Sequence, residues 1–169
     1  MQRKSVWCVG VLLTCVTLLI PQRSLSAPVT EPLREAQPNA QPVRLEIRLK
    51  QRRVNVYQDG KQVKSYAIAV GRPGWETPIG TYTVKQKIRN PAWVHPLNGE
   101  KIPGGDPENP LGRFWIGFWT DGKNWIGFHG TPNPESVGTA SHGCIRMYNH
   151  DVEELFNKVS LGTEVVVKN

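Results

Sequence analysis

From residue 43 onward, apolar and polar side chains alternate in short runs, the period-2 signature of strands with one buried face. Leu45, Ile47 and Leu49 alternate with Glu46, Arg48 and Lys50. Val54 and Val56 continue the pattern, and Gln58-Asp59-Gly60-Lys61 follows as a hairpin turn, because Asp-Gly readily takes positive φ. Val63 to Val70 reads as the returning strand, closed by Gly71-Arg72-Pro73-Gly74. After Thr77-Pro78-Ile79-Gly80, the run Thr81 to Ile88 alternates again as one strand. Phe114 to Trp119 and Trp125 to Phe128 form a further pair around Asp121-Gly122-Lys123-Asn124, and Glu164 to Val167 is the last strand.

Helical periodicity is convincing only once. Val152, Leu155, Phe156 and Val159 define a single apolar stripe. Asn149 is placed to cap this helix, with Asp151, Glu153 and Glu154 near its positive end and Lys158 near its negative end. Gly162 is placed to terminate it. The expected fold is therefore mainly β, a sandwich or open barrel with one short helix. Between Asn90 and Arg113 no strand pattern is visible, and five prolines fall in the stretch. A loop that long inside a compact domain is read as a substrate-covering flap, with Trp93, His95 and Leu97 as its larger side chains.

Composition adds a domain plan. Arg3 and Lys4 precede an apolar run from Val6 to Ile20, and Ser24-Leu25-Ser26-Ala27 offers small residues for cleavage, so residues 1–27 read as an export signal peptide. The run is shorter than the roughly 20 residues of a spanning helix, so an uncleaved anchor is the secondary reading. Four prolines among the fifteen residues from Pro28 to Pro42 mark a linker, and residues 43–169 remain for one domain. The 169-residue chain carries a net charge of +7; loss of Arg3, Lys4 and Arg23 with the signal would bring it to +4. That surplus is not gathered into a block, which argues against nucleic-acid binding. A monomer without stable membrane insertion after cleavage is expected.

Cys8 and Cys15 fall in the signal, leaving Cys144 as the one cysteine of the exported chain. A solitary thiol in an exported protein has no intramolecular disulfide partner, and its setting, Ser141-His142-Gly143-Cys144-Ile145-Arg146, is poor in core residues. A nucleophile is the sharper reading; an inert buried thiol is the plain one. Two histidines compete to activate it. His142 lies two residues away; His129 ends an apolar strand, a rigid platform for a general base. A neighbouring imidazolium would lower the thiol pKa from about 8.5. Gly143 permits a tight turn beside the sulfur. Zinc ligation by His129, His142 and Cys144 is disfavoured by the single thiolate, so neither metal nor cofactor is expected. Arg146 suits a substrate carboxylate, and the tryptophans read first as sheet packing.

His129-Gly130-Thr131, with eleven residues between His129 and Ser141, and then Ser141-His142-Gly143-Cys144-Ile145-Arg146 together resemble the L,D-transpeptidase catalytic domain of the YkuD type. Thr77-Pro78-Ile79-Gly80 and Asn109-Pro110-Leu111-Gly112 are similar to further recurrent segments of that family. The resemblance implies a peptidoglycan substrate and an exported enzyme of the periplasm or cell wall. It implies that Cys144 attacks the third-residue carbonyl of a tetrapeptide stem, releases D-alanine, and passes the acyl group to an amine of a neighbouring stem. His129 would be the base, oriented by a carbonyl near Gly130, and backbone N–H groups around His142, Gly143 and Cys144 would hold the oxyanion. Ser141, Arg146 and Trp93 would contact substrate. Transfer to water instead would make an L,D-carboxypeptidase, and a dead site would leave a wall-binding module.

Overall fold

The computed structural model describes residues 42–95, 98–138 and 141–169. The expected signal peptide, all of the linker except Pro42, and Leu97 of the flap lie outside the described residues.

The elements follow in the order β1 (Arg44–Arg48), β2 (Arg53–Gln58), β3 (Lys61–Ala67), β4 (Gly80–Thr83), β5 (Gln86–Arg89), β6 (Trp93–Val94) and β7 (Lys101–Ile102). Then come β8 (Phe114–Thr120), β9 (Trp125–His129), a 3-10 turn (Pro134–Gly138), β10 (Ile145–Arg146), α1 (Asn149–Lys158) and β11 (Glu164–Lys168). One sheet has the order β3-β2-β1-β11-β4 and the other β10-β9-β8-β5. Pairing is antiparallel except for β1 with β11 and β9 with β10. One apolar core joins them. Leu45, Ile47, Val54, Val56, Val165 and Val167 come from the first sheet and Ile116, Phe118, Phe128 and Ile145 from the second, with Val152 and Leu155 from α1. Each such side chain contributes about 1.5–3 kcal/mol by burial. The mainly β, two-sheet reading with one helix holds.

Four local expectations are corrected. The run Thr81 to Ile88 is two strands, because the chain changes sheets at Val84-Lys85. Val84 N–H donates to the Thr163 carbonyl beside the first sheet, and Lys85 N–H to Gly117 in the second. Consecutive amides pointing to opposite sheets keep the alternation intact, so the pattern alone conceals the break. The returning strand β3 stops at Ala67 and leaves Val63 exposed, as its place at the sheet edge allows. The stretch after Asn90 contains the small β6–β7 hairpin. Asn109, almost fully buried, donates to the carbonyls of Pro91 and Pro103 and accepts the Leu111 N–H, which gathers both ends of that stretch.

The helix is the fourth. Its N-cap is Tyr148, with no side-chain cap bond, and Asn149 is its first residue. Its end is Val159 in extended conformation, where the Lys87 ammonium donates to the Val159 carbonyl; Gly162 (φ 87°) belongs to the turn into β11.

On the other face of the first sheet, Glu46 is buried at 3% exposure. Burial would raise its pKa, yet hydrogen bonds from Lys168, Arg48 and Arg44 outweigh that and hold it below the usual carboxylate range.

Candidate active site

His129 closes β9 and lies between two neighbours in the second sheet. The register pairs it with Trp115 on β8 and with Arg146 on β10. The Trp115 ring stacks on the imidazole at 6.3 Å between centroids, and Trp115 Nε1 is held by Gln86 Oε1 at 3.2 Å. Phe128 and its β10 partner Ile145 point into the core, so His129 and Arg146 share the opposite face. Cys144, two residues before Arg146, falls on that face too if the strand period is carried back to it. Its thiol donates toward the Trp125 carbonyl at 3.7 Å. Cys144 thus lies against the start of β9 and His129 closes the same strand, with Arg146 paired to His129 and its charge acting on both groups.

The imidazole tautomer follows from its partner. His129 Nδ1 lies 2.6 Å from the Gly130 carbonyl. A carbonyl only accepts, so Nδ1 carries the proton and Nε2 keeps a lone pair. Burial, aided by the Arg146 charge and opposed by the Gly130 and Pro110 carbonyls, lowers the His129 pKa to about 4. Burial also raises the Cys144 thiol, with the Gly127 backbone and Arg146 offsetting only part of it. The expected imidazolium that would depress the thiol is therefore absent near neutral pH. The thiol and the imidazole are both neutral at rest, because each is desolvated by burial.

Gly130 has no room for a side chain. A Cβ there would lie 2.1 Å from Asn149 Oδ1. Asn149 Oδ1 accepts the Thr131 N–H at 3.0 Å and Nδ2 donates to the Thr131 carbonyl at 2.9 Å, so one amide reproduces both halves of a strand pair. The residue expected to cap the helix instead fastens the segment that follows His129.

The Ser141–Cys144 loop is stitched internally. Ser141 Oγ donates to the Cys144 carbonyl at 2.6 Å and accepts the Gly143 N–H at 3.1 Å. Gly143 adopts φ 105°, which a side chain would strain. His142 points outward; its Nε2 accepts from Arg72 Nη2 at 2.7 Å, and its ring meets Trp75 edge-on. Burial and the charges of Arg72 and Arg146 lower its pKa as well. Arg146 Nη1 donates to the Ser136 carbonyl in the 3-10 turn. Trp93 sits apart in the β6–β7 hairpin, its ring edge-on to His95.

Sequence reading passed over Trp115, Asn149, Thr77 and Arg72. Trp115 read as packing, Asn149 as a cap and Arg72 as a turn residue, while Thr77 stood only in the recurrent segment Thr77-Pro78-Ile79-Gly80 with no role of its own; only the fold connects them to these loops. Among the described residues no group of three His, Cys, Asp or Glu side chains converges to hold a metal ion. Shallow depressions of about 440 and 360 Å³ flank Gly162 and Glu164, and their walls include neither Cys144 nor His129. No helix among the described residues is long and apolar enough to cross a membrane.

The family model of the L,D-transpeptidase catalytic domain, YkuD, matches residues 42–167. YqjB of Bacillus subtilis, named as an L,D-transpeptidase, is 42% identical over 116 residues, covering 66% of this chain and 63% of the relative. YkuD of Bacillus licheniformis, named likewise, is 37% identical over 131 residues, covering 77% of this chain and 68% of the relative. Among solved structures, L,D-transpeptidase 3 from Mycobacterium tuberculosis with a faropenem-derived adduct superposes with a TM-score of 0.61 at 22% identity. That match covers 76% of this chain and 60% of the mycobacterial one, and it is a likeness of fold.

Proposed function

The chain belongs to the L,D-transpeptidase catalytic-domain family of the YkuD type, and on that footing we propose that it is an exported peptidoglycan L,D-transpeptidase with Cys144 as nucleophile and His129 as base. The observation that carries this reading is the His129 Nδ1–Gly130 carbonyl bond, which leaves Nε2 as the basic atom.

Cys144 attacks the third-residue carbonyl of a tetrapeptide stem while its proton passes to His129 Nε2. The carbonyl oxygen becomes an oxyanion, for which backbone N–H groups of the Ser141–Cys144 loop are the donors. Gly143 N–H is already given to Ser141 Oγ, so the Cys144 N–H is the principal one. The tetrahedral carbon collapses, the C–N bond to D-alanine breaks, and the imidazolium returns the proton to the departing amine. An amine of a neighbouring stem then attacks the thioester and gives its proton to His129; the sulfur leaves and is reprotonated. A base with a pKa near 4 is weak, but its conjugate acid is strong, which suits protonation of a poor amine leaving group. Arg146 brings positive charge toward stem carboxylates, His142 supports the thiol loop, and Trp93 forms part of the flap. Residues 1–27 would direct the chain to the periplasm or wall.

The test incubates the protein with a tetrapeptide stem donor and an amine acceptor and identifies products by mass. A cross-linked product with D-alanine release, abolished in Cys144→Ala and slowed more by His129→Ala than by His142→Ala, supports the reading. Trimmed stems without cross-links would make it an L,D-carboxypeptidase, and unaltered stems would leave a binding module.

A further inference from the structure

Thr77 lies 67 residues before Cys144 in sequence and is buried at 2% exposure. Its hydroxyl donates to the Gly143 carbonyl at 2.8 Å and accepts the Gly71 N–H at 3.2 Å, so both of its bonds are directional. Around it, Arg72 N–H donates to the Ser141 carbonyl and Ser141 N–H to the Val70 carbonyl. The turn from Gly71 to Thr77 is thereby fixed along the thiol loop.

The Gly143 carbonyl and the Cys144 N–H belong to one planar peptide unit and point in opposite directions. Whatever fixes that carbonyl fixes the direction of that N–H. The neighbouring unit is committed elsewhere, since Gly143 N–H donates to Ser141 Oγ. Gly143 itself, with φ 105° and no side chain, offers little resistance to rotation of the unit. The Thr77 hydroxyl supplies that resistance, and by bonding the carbonyl it also polarises the N–H at the other end of the same amide.

We infer that Thr77 is a positioning residue that aims the Cys144 N–H at the oxyanion formed during acylation. The inference rests on Cys144 being the nucleophile. Its effect is confined to steps in which a carbonyl oxygen gains charge, whereas a displacement at an sp³ carbon by the same sulfur creates no oxyanion and does not need the donor.

The experiment compares two reactions of Cys144 in the full chain, its Thr77→Val variant and its Thr77→Ser variant. Acylation uses a carbapenem: the C–S bond forms, the lactam C–N bond breaks, and the thiol proton ends on the released nitrogen. Alkylation uses iodoacetamide, with iodide leaving and the proton passing to buffer. Both rates are read by intact mass at a temperature where each protein sits on its native baseline. Loss of a whole oxyanion donor costs about 10²–10³ in rate, so a misaimed one should cost roughly 10- to 100-fold. The expected result is acylation slowed by that factor in Thr77→Val, alkylation unchanged, and Thr77→Ser close to the native protein. Native-rate acylation by Thr77→Val overturns the inference. Equal slowing of both reactions overturns it too, since Thr77 would then merely hold the loop together. A native protein that the carbapenem never acylates fails the nucleophile assignment instead.

Discussion

Gly130→Ala should break the clasp beside the base, and its cost should vanish when Asn149 is also removed. The new methyl carbon would lie 2.1 Å from Asn149 Oδ1 and 3.5 Å from Val152 Cγ1, so the amide is the group that must yield. Gly130 is not among the glycines with positive φ, so the substitution tests space alone. Displacing the amide frees the Thr131 N–H and carbonyl, in a residue only 5% exposed. Two hydrogen bonds at a net ~0.5–1.5 kcal/mol each, with part of the penalty for unsatisfied buried groups, give about 2–4 kcal/mol of destabilisation. Asn149→Ala loses the same two bonds and should cost a similar amount, offset by a few tenths from better helix propensity. In the double variant the methyl meets no amide, so Gly130→Ala should add less than about 1 kcal/mol to Asn149→Ala. Urea unfolding of the four proteins at constant m-value reads the coupling directly. Additive single effects would refute the clasp, and so would a Gly130→Ala protein as stable as the native one.

Three other outcomes follow from the same structure. Because burial lowers His129 to about pKa 4 and raises Cys144, acylation should keep its rate from pH 7 down to about 5, and iodoacetamide alkylation should keep rising beyond pH 9; a plateau of alkylation near pH 7 would mean a preformed ion pair. Glu46 has a depressed folded pKa, so its contribution is fully present above the unfolded value of 4.5 and lost as pH falls through the folded one; the gap between native protein and Glu46→Gln, about 1–3 kcal/mol at pH 7 from charge-assisted hydrogen bonds, should close in acid unfolding curves. Asn109→Ala should cost about 2–3 kcal/mol from three lost bonds and speed hydrogen exchange selectively between residues 91 and 111; unchanged exchange there would show that Asn109 does not gather the stretch.

Strands were legible where apolar residues recur toward the core and a strand pairs on each side, as in β1, β2, β8, β9 and β11. The sheet change at Val84-Lys85 was not, because Thr81 to Ile88 preserves period 2 on both sides of it. At the site, Cys144, His129 and Arg146 were legible as chemistry because they cluster in sequence. Their supports were not. Asn149 lies 18 residues past Thr131 and Thr77 lies 66 before Gly143. Local pattern assigns a polar residue at a helix start to capping and the Gly71-Arg72-Pro73-Gly74 run to a surface turn. Long-range pairing of β9 with β10, and of the Gly71 turn with Ser141, overrides both assignments.

The resting charges bear on how such a thiol is controlled. A preformed thiolate–imidazolium pair would react with any small electrophile, since the thiolate is the reactive form. Here the sulfur is half-buried and its pKa is pushed upward, and burial likewise holds His129 neutral. Proton transfer between them at rest would create two charges in a site that penalises each. On the proposed mechanism a bound carbonyl changes that balance, because the negative charge moves from sulfur to an oxygen that accepts a hydrogen bond from the Cys144 N–H, while Arg146 remains nearby. Under that mechanism the site would ionise as it reacts and not before. Under that proposal, selectivity for acyl donors over alkylating agents would follow from the orientation of the Cys144 peptide unit, and the ratio of the two rates measures it.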